Sequence, residues 1–163
     1  MSPPDLAVVE ALRASPIAQG LGAEQCRSLA GLVGLRSWER GDVVAQEGEV
    51  DDRMLVIVEG AIAVTKHRGT VDESPLVTLR AGDLVHQLGF LEGTPHGASL
   101  VAAEPTRALV LTRSALESLI DTQPRILYFV MCAIARAAHR VQARLSLQAV
   151  ELMNYVVKQH GRY

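Results

Sequence analysis

Apolar positions along the chain change rhythm twice. Between residues 4 and 35 they recur every three to four positions. Leu6, Val9 and Leu12 share a helical face, and Ser15-Pro16 ends that run. Cys26, Leu29, Ala30 and Val33 share another face, which predicts a second helix over about residues 23–33. From Trp38 to Leu111 the pattern becomes short runs of β-branched and aliphatic residues: VVAQEG, RMLVIVEGAIAV, PLVTL, ASLVAAEP and RALVLT. Turn signals separate them at Arg40-Gly41-Asp42, Glu47-Gly48-Glu49, Glu59-Gly60, Ala81-Gly82-Asp83 and Glu104-Pro105. Many short strands between glycine turns predict a sandwich or barrel. The polar stretch KHRGTVDESP, residues 66–75, reads as a longer loop between two strands. After Thr112 the helical rhythm returns. Thr112 or Ser114 caps a short helix to about Ile120, and Gln123-Pro124 opens a long one reaching about residue 158. Three regions result: N-terminal helices in 1–35, a β-rich region with a short helix in 36–122, and a long helix in 123–163.

The long helix carries a seam. Leu127, Val130, Ile134, Ala137, Val141 and Leu145 follow steps of three and four, with Arg136, Arg140 and Arg144 on the opposite side. About 35 residues rising ~1.5 Å each span about 50 Å, longer than the strand region covers. The seam is therefore read as a homodimer interface over most of its length, with the stretch near residues 126–131 packing on its own domain.

Composition narrows the function classes. With 48% hydrophobic and 21% charged residues, the 163-residue chain has enough apolar surface for one folded core. A formal net charge of −2 argues against a general nucleic-acid surface. The N-terminus lacks a basic segment followed by an apolar core, and no run of about 18 apolar residues exists, so neither a signal peptide nor a membrane span is read. Cys26 and Cys132 stand in apolar contexts and read as buried small residues of a reducing cytoplasm. No GxSxG, P-loop or HExxH motif is present, and the carboxylates Glu47, Glu49, Asp51 and Asp52 read as a solvated turn. No catalytic residue is assigned.

The order of helix, eight or so short strands, short helix and long helix resembles the cyclic-nucleotide-binding domain of the cyclic-AMP receptor protein superfamily. RGDVVAQEGEVDDRMLVIVEGAIAV is similar to the family's first half, with Gly41, Gly48 and Gly60 at its turns. The stretch from Leu76 to Ile120 is similar to the second half, including its phosphate-binding cassette. The resemblance implies a mainly-β jelly roll with flanking helices, whose long helix forms the dimer seam and covers the ligand. The family's transcription factors continue into a winged helix-turn-helix; this sequence ends at Tyr163, so direct DNA contact is not expected.

The resemblance also locates a site. The family cassette runs Gly-Glu-Leu-Ala-Leu-Leu, a turn, then Pro-Arg-Ser-Ala. Here the matching stretch is His86-Gln87-Leu88-Gly89-Phe90-Leu91, then Pro95-His96-Gly97-Ala98. Gln87 replaces the ribose-binding Glu and His96 the phosphate-binding Arg. An amide lacks the charge-assisted bond of a carboxylate, and a neutral imidazole lacks the guanidinium fork. Weakening two hydrogen bonds to charged groups, each worth roughly 1.5–3 kcal/mol, lowers affinity about a hundredfold or more. His86 adds bulk where the family has glycine. The candidate ligand-binding residues are Gln87, Leu88, His96, Gly97, Ala98, Arg140 and Gln142, the last two because family members contact the base from this part of the helix. Three readings stay open: a dimer module with no nucleotide, a sensor of cyclic AMP, cyclic GMP or another nucleotide messenger, and a histidine site for metal or haem. The favoured expectation is a non-enzymatic, cytoplasmic, bacterial homodimer that regulates a protein partner.

Overall fold

The computed structural model describes residues 4–160 of the chain, and side chains through residue 158. The outer ends of the first and third regions read from the sequence, residues 1–3 and 161–163, lie outside the described residues. Two N-terminal helices, α1 (Leu6–Arg13) and α2 (Ala23–Ala30), precede eight strands. These are β1 (Val33–Trp38), β2 (Val43–Ala45), β3 (Arg53–Glu59), β4 (Ala61–Lys66), β5 (Ser74–Arg80), β6 (Leu84–Val85), β7 (Ser99–Ala102) and β8 (Thr106–Thr112). Helix α3 (Gln87–Glu92) interrupts the strands, and α4 (Arg113–Thr122) and α5 (Pro124–His160) follow them. The strands form two antiparallel four-stranded sheets, ordered β1-β8-β3-β6 and β2-β7-β4-β5. This is a jelly roll with flanking helices.

The first sheet is apolar on both faces, and strand alternation makes it so. On β3, Met54 and Val56 join the core shared with the helices, while Leu55 and Ile57 join the core between the sheets. On β8, Leu109 and Leu111 face the helices, and Ala108 and Val110 face the roll. The β3/β8 register pairs Leu55 with Val110 and Met54 with Leu111, so like faces meet. This doubly covered sheet holds the helices to the roll.

Two boundaries differ from the sequence reading. The second helix ends at Ala30, and Val33, placed on its apolar face by spacing, instead begins β1 opposite Leu111. The long helix is continuous through residue 160. Its residues Ile126, Val130, Ala133, Ile134 and Ala137 are buried in the helix-side core, with Leu127 packed against it. Val130, Ile134 and Ala137, assigned to a dimer seam, are thus the helix's attachment to its own domain. Val141 and Leu145 lie beyond that attachment and are exposed. No described helix is long and apolar enough to cross a membrane.

The β3–β4 turn depends on Gly60, whose φ is +90°. A Cβ there would collide with the Pro105 carbonyl oxygen and lie 2.6 Å from Thr106 Oγ1. That hydroxyl, itself buried, bonds the main chain of Ala61 and Glu104. Gly60→Ala is expected to destabilise the protein by about 2 kcal/mol or more, because strain and overpacking combine. Urea unfolding monitored by circular dichroism measures this, and an unchanged midpoint would contradict it.

Candidate functional site

The cassette is the segment that leaves the roll and returns to it. Strand β6 ends at Val85, His86 turns the chain in the left-handed region (φ 63°), α3 makes one and a half turns, and the chain re-enters through His96 to β7. Main-chain bonds pin the return. Gly48 N donates to His96 O (2.8 Å) and His96 N donates to Glu49 O (2.9 Å). Arg113 ties α3 to the start of α4 by donating from Nε to Phe90 O at 2.7 Å.

The two cassette histidines lie face to face. Their ring centroids are 3.7 Å apart, with planes 20° from parallel. His96 is 4% exposed. Its Nε2 lies 3.6 Å from Asp51 Oδ2, beyond hydrogen-bond distance, and the Nε2 atoms of both rings are buried without a partner. Asp51 is itself buried and already held: Arg53 donates from Nε and Nη2 to its two oxygens, each at 2.8 Å. Burial pushes the Asp51 carboxyl upward, but the hydrogen bonds and charge of Arg53 outweigh this and hold it below its ordinary range. The reading of Asp51 as part of a solvated turn is therefore corrected. Asp52 and Glu49 do stay exposed. Glu47 pairs with Lys66 (2.8 Å), which also donates to Gly97 O.

Burial pushes the His86 pKa down, the neighbouring His96 pushes it further, and Asp51 only partly opposes them. Two positive charges at 3.7 Å repel by about 4 kcal/mol at an effective dielectric of about 20. Charging both rings at once is therefore disfavoured.

A cavity of about 440 Å³ opens beside the stack, within the usual range for small-molecule sites. Its polar end is His86, Gln87, His96, Gly97 and Ala98; its walls are Val64, Leu76, Val77 and Leu79 from β4 and β5, with Leu84, Val85, Leu100 and Val141. No Arg or Lys lines it. Of the residues assigned from the cassette, the structure brings Gln87, His96, Gly97 and Ala98 together at this cavity. Leu88 is not among them: it is half exposed and lines an outer groove of about 730 Å³ along α5. Gln142 lines that same groove, and Arg140 lines an adjoining crevice with Asp83 and Arg144 that shares Leu79, Leu84, Gln87 and Val141 with the cavity. The helix residue that reaches the cavity is Val141, whose neighbours on either side point elsewhere. The aliphatic wall of β4 and β5 was missed as a site, since alternating Val and Leu read equally as core. Among the described residues no group of three or more His, Cys, Asp or Glu side chains is placed to hold a metal ion.

Comparison with known proteins places this geometry. The model of the cyclic nucleotide-binding domain matches residues 35–123. The chain is 26% identical over 137 residues to a CRP-like cAMP-activated global transcriptional regulator of Mycobacterium tuberculosis, covering 84% of this chain and 61% of that protein. It is 30% identical over 113 residues to a cyclic nucleotide-gated potassium channel of Rhizobium etli, covering 69% of this chain and 30% of the channel. It thus spans less than two thirds of these relatives. The crystal structure of a cyclic nucleotide-binding domain from Methylobacillus flagellatus superposes with a TM-score of 0.78 at 22% identity, covering 95% of this chain and 87% of that one. The catabolite activator protein of Thermus thermophilus superposes with a TM-score of 0.65 at 24% identity, covering 82% and 63%. At these identities the superpositions establish the fold.

His86 fits only because residue 89 is glycine. A Cβ at Gly89 would run into the His86 ring, with Nδ1 at 2.6 Å. The bulk gained at position 86 is matched by the methyl absent at 89, where the family cassette has Gly and Ala. Gly89→Ala is expected to cost about 1–3 kcal/mol through overpacking, and His86→Gly in the same chain to recover most of it. Chemical unfolding of the two single variants and the double variant reads the coupling; additive losses would mean the ring does not occupy this space.

Proposed function

This chain belongs to the cyclic nucleotide-binding domain family, and from that premise we propose that it is a non-enzymatic regulatory module acting as a homodimer, whose cavity lacks the family's grip on a cyclic phosphodiester at neutral pH. The carrying observation is the His86–His96 stack beside an aspartate already paired with Arg53, at the end of a cavity lined by no Arg or Lys. A ligand phosphate entering there meets imidazole rings where a guanidinium would give two charge-assisted bonds. Gln87 offers the sugar an uncharged acceptor.

The homodimer reading rests on a second apolar stripe, one residue round the helix from the buried one. Tyr128, Met131, Ala135, Ala138, Gln142, Leu145, Ala149 and Leu152 follow steps of 3-4-3-4-3-4-3 without a break. All but the half-buried Ala138 are exposed. A strict alternation of three and four favours a two-stranded left-handed pairing, and the small residues allow close approach. The groove formed with Leu88 lies along this stripe, so a second helix seated there would touch α3, the cassette helix. Changes in the cassette would then reach the dimer through α3, and through Val141 on α5. The regulated partner is read as another protein, met through this helical face.

Sedimentation of the full chain is expected to give a dimer, and Ala138→Glu with Leu145→Glu a folded monomer; a monomeric parent would contradict the reading. Calorimetry at pH 7.5 is expected to give affinities for cyclic AMP and cyclic GMP of millimolar or weaker. Gln87→Glu with His96→Arg is expected to gain about a hundredfold, the value of two restored charge-assisted bonds. Micromolar binding by the unchanged protein would contradict the empty-grip assignment.

A further inference from the structure

The histidine stack has no task in a cavity that ignores charge. His96 is almost fully buried, its Nε2 and that of His86 have no hydrogen-bond partner, and both rings line the cavity. We propose that the stacked pair makes the cavity a proton-dependent anion site, in which one proton taken from solvent by the His86–His96 pair supplies the positive charge that a cyclic phosphodiester requires, so that ligand and proton bind together. This rests on the preceding reading that the neutral pair leaves the cavity without a cation.

The surrounding charges favour this arrangement. From β3, Arg53 neutralises Asp51 through two bonds of 2.8 Å, so a proton on the pair is not cancelled by a free carboxylate. From β4, Lys66 is held by Glu47 and the Gly97 carbonyl and does not line the cavity. From α4, Arg113 is bonded to Phe90 O and its charge disfavours a proton on His86. From α5 the apolar Val141 lines the cavity, while Arg140 and Arg144 line the adjoining crevice beyond Gln87 and not the cavity itself. The fold alone therefore withholds the proton: His86, pushed down by burial, by His96 and by Arg113, stays neutral through neutral pH. A bound anion reverses that balance.

The sign of the pH effect follows. A group whose folded pKa is depressed stabilises the fold above its unfolded value and loses that contribution as pH falls through the folded value. For His86 this loss begins below pH ~6.5; an anion restores it by favouring the charged form. Asp51, held below its ordinary carboxylate range, remains ionised at pH 5.5 and keeps Arg53 paired. When binding takes up one proton by a pair that is neutral in the free protein, affinity rises by up to about tenfold for each unit the pH falls, so affinity for the anion is expected to rise at least about tenfold between pH 7.5 and 5.5. The depression of His86 moves the steep part of this rise toward the acid end.

The test is calorimetric titration of the full chain with cyclic AMP, cyclic GMP and uncharged adenosine at pH 7.5 and 5.5, each in two buffers of different ionisation enthalpy. The proposal expects cyclic nucleotide affinity to rise at least about tenfold from pH 7.5 to 5.5 with net proton uptake on binding, while adenosine shows neither effect. His96→Gln is expected to abolish the pH dependence, and circular dichroism checks that it and the parent are folded at both pH values. The proton uptake of the unchanged protein decides the matter even if the variant does not fold. Silence at pH 5.5, or equal affinity at both pH values without proton uptake, would overturn the proton linkage. Micromolar cyclic AMP binding at pH 7.5 would overturn the empty-grip reading instead, and monomeric sedimentation would affect only the dimer.

Discussion

Two imidazole rings 3.7 Å apart, against a carboxylate that an arginine already holds, form the polar end of the roll's cavity. Everything around the cassette accommodates this contact. His86 adopts a left-handed backbone that a larger residue rarely takes, Gly89 leaves the space its ring fills, and Asp51 is buried among its partners. The turn, helix and return strand of the cassette are kept, and the proposed change is electrostatic: Gln87 and His96 stand where the family cassette has Glu and Arg. The apolar contacts that build the architecture involve other residues.

Those contacts come from the sheet β1-β8-β3-β6. Its two apolar faces place the helices on one side and the second sheet on the other. Helix α5 continues the same logic: one stripe, ending at Ala137, completes the core, and a neighbouring stripe faces outward. Because Val141 touches the cavity and Leu88 touches the outer groove, the ligand space and the proposed dimer face share a boundary. Repacking at that boundary is the physical means by which occupancy of one would alter the other.

The sequence made much of this legible where one period dominates. Short apolar runs in RMLVIVE and RALVLT marked the strands of the doubly covered sheet, and glycines with aspartate or glutamate marked the turns. It misled where two patterns coincide. Cys26, Leu29, Ala30 and Val33 have helical spacing, yet Val33 is a strand residue because pairing with Leu111 outweighs helix propensity. Between residues 126 and 138 the long helix is apolar on two adjacent stripes, and hydrophobicity alone does not tell which one meets the core. In the cassette, Gln87 and His96 were found from the motif, but Leu88 faces away because α3 is a helix and its neighbours diverge by about 100°. Asp51 was misjudged because the segment that approaches it, at His96, is distant in sequence, and an isolated carboxylate pair reads as solvent-facing.

The most direct test of the central claim is a crystal structure grown at pH 7.5 with millimolar cyclic AMP. The account predicts the rings of His86 and His96 stacked within about 4 Å of each other, His96 beside Asp51, and no ordered nucleotide in the cavity. A cyclic AMP molecule with its phosphate held by His96, the ring turned away from His86, would contradict it.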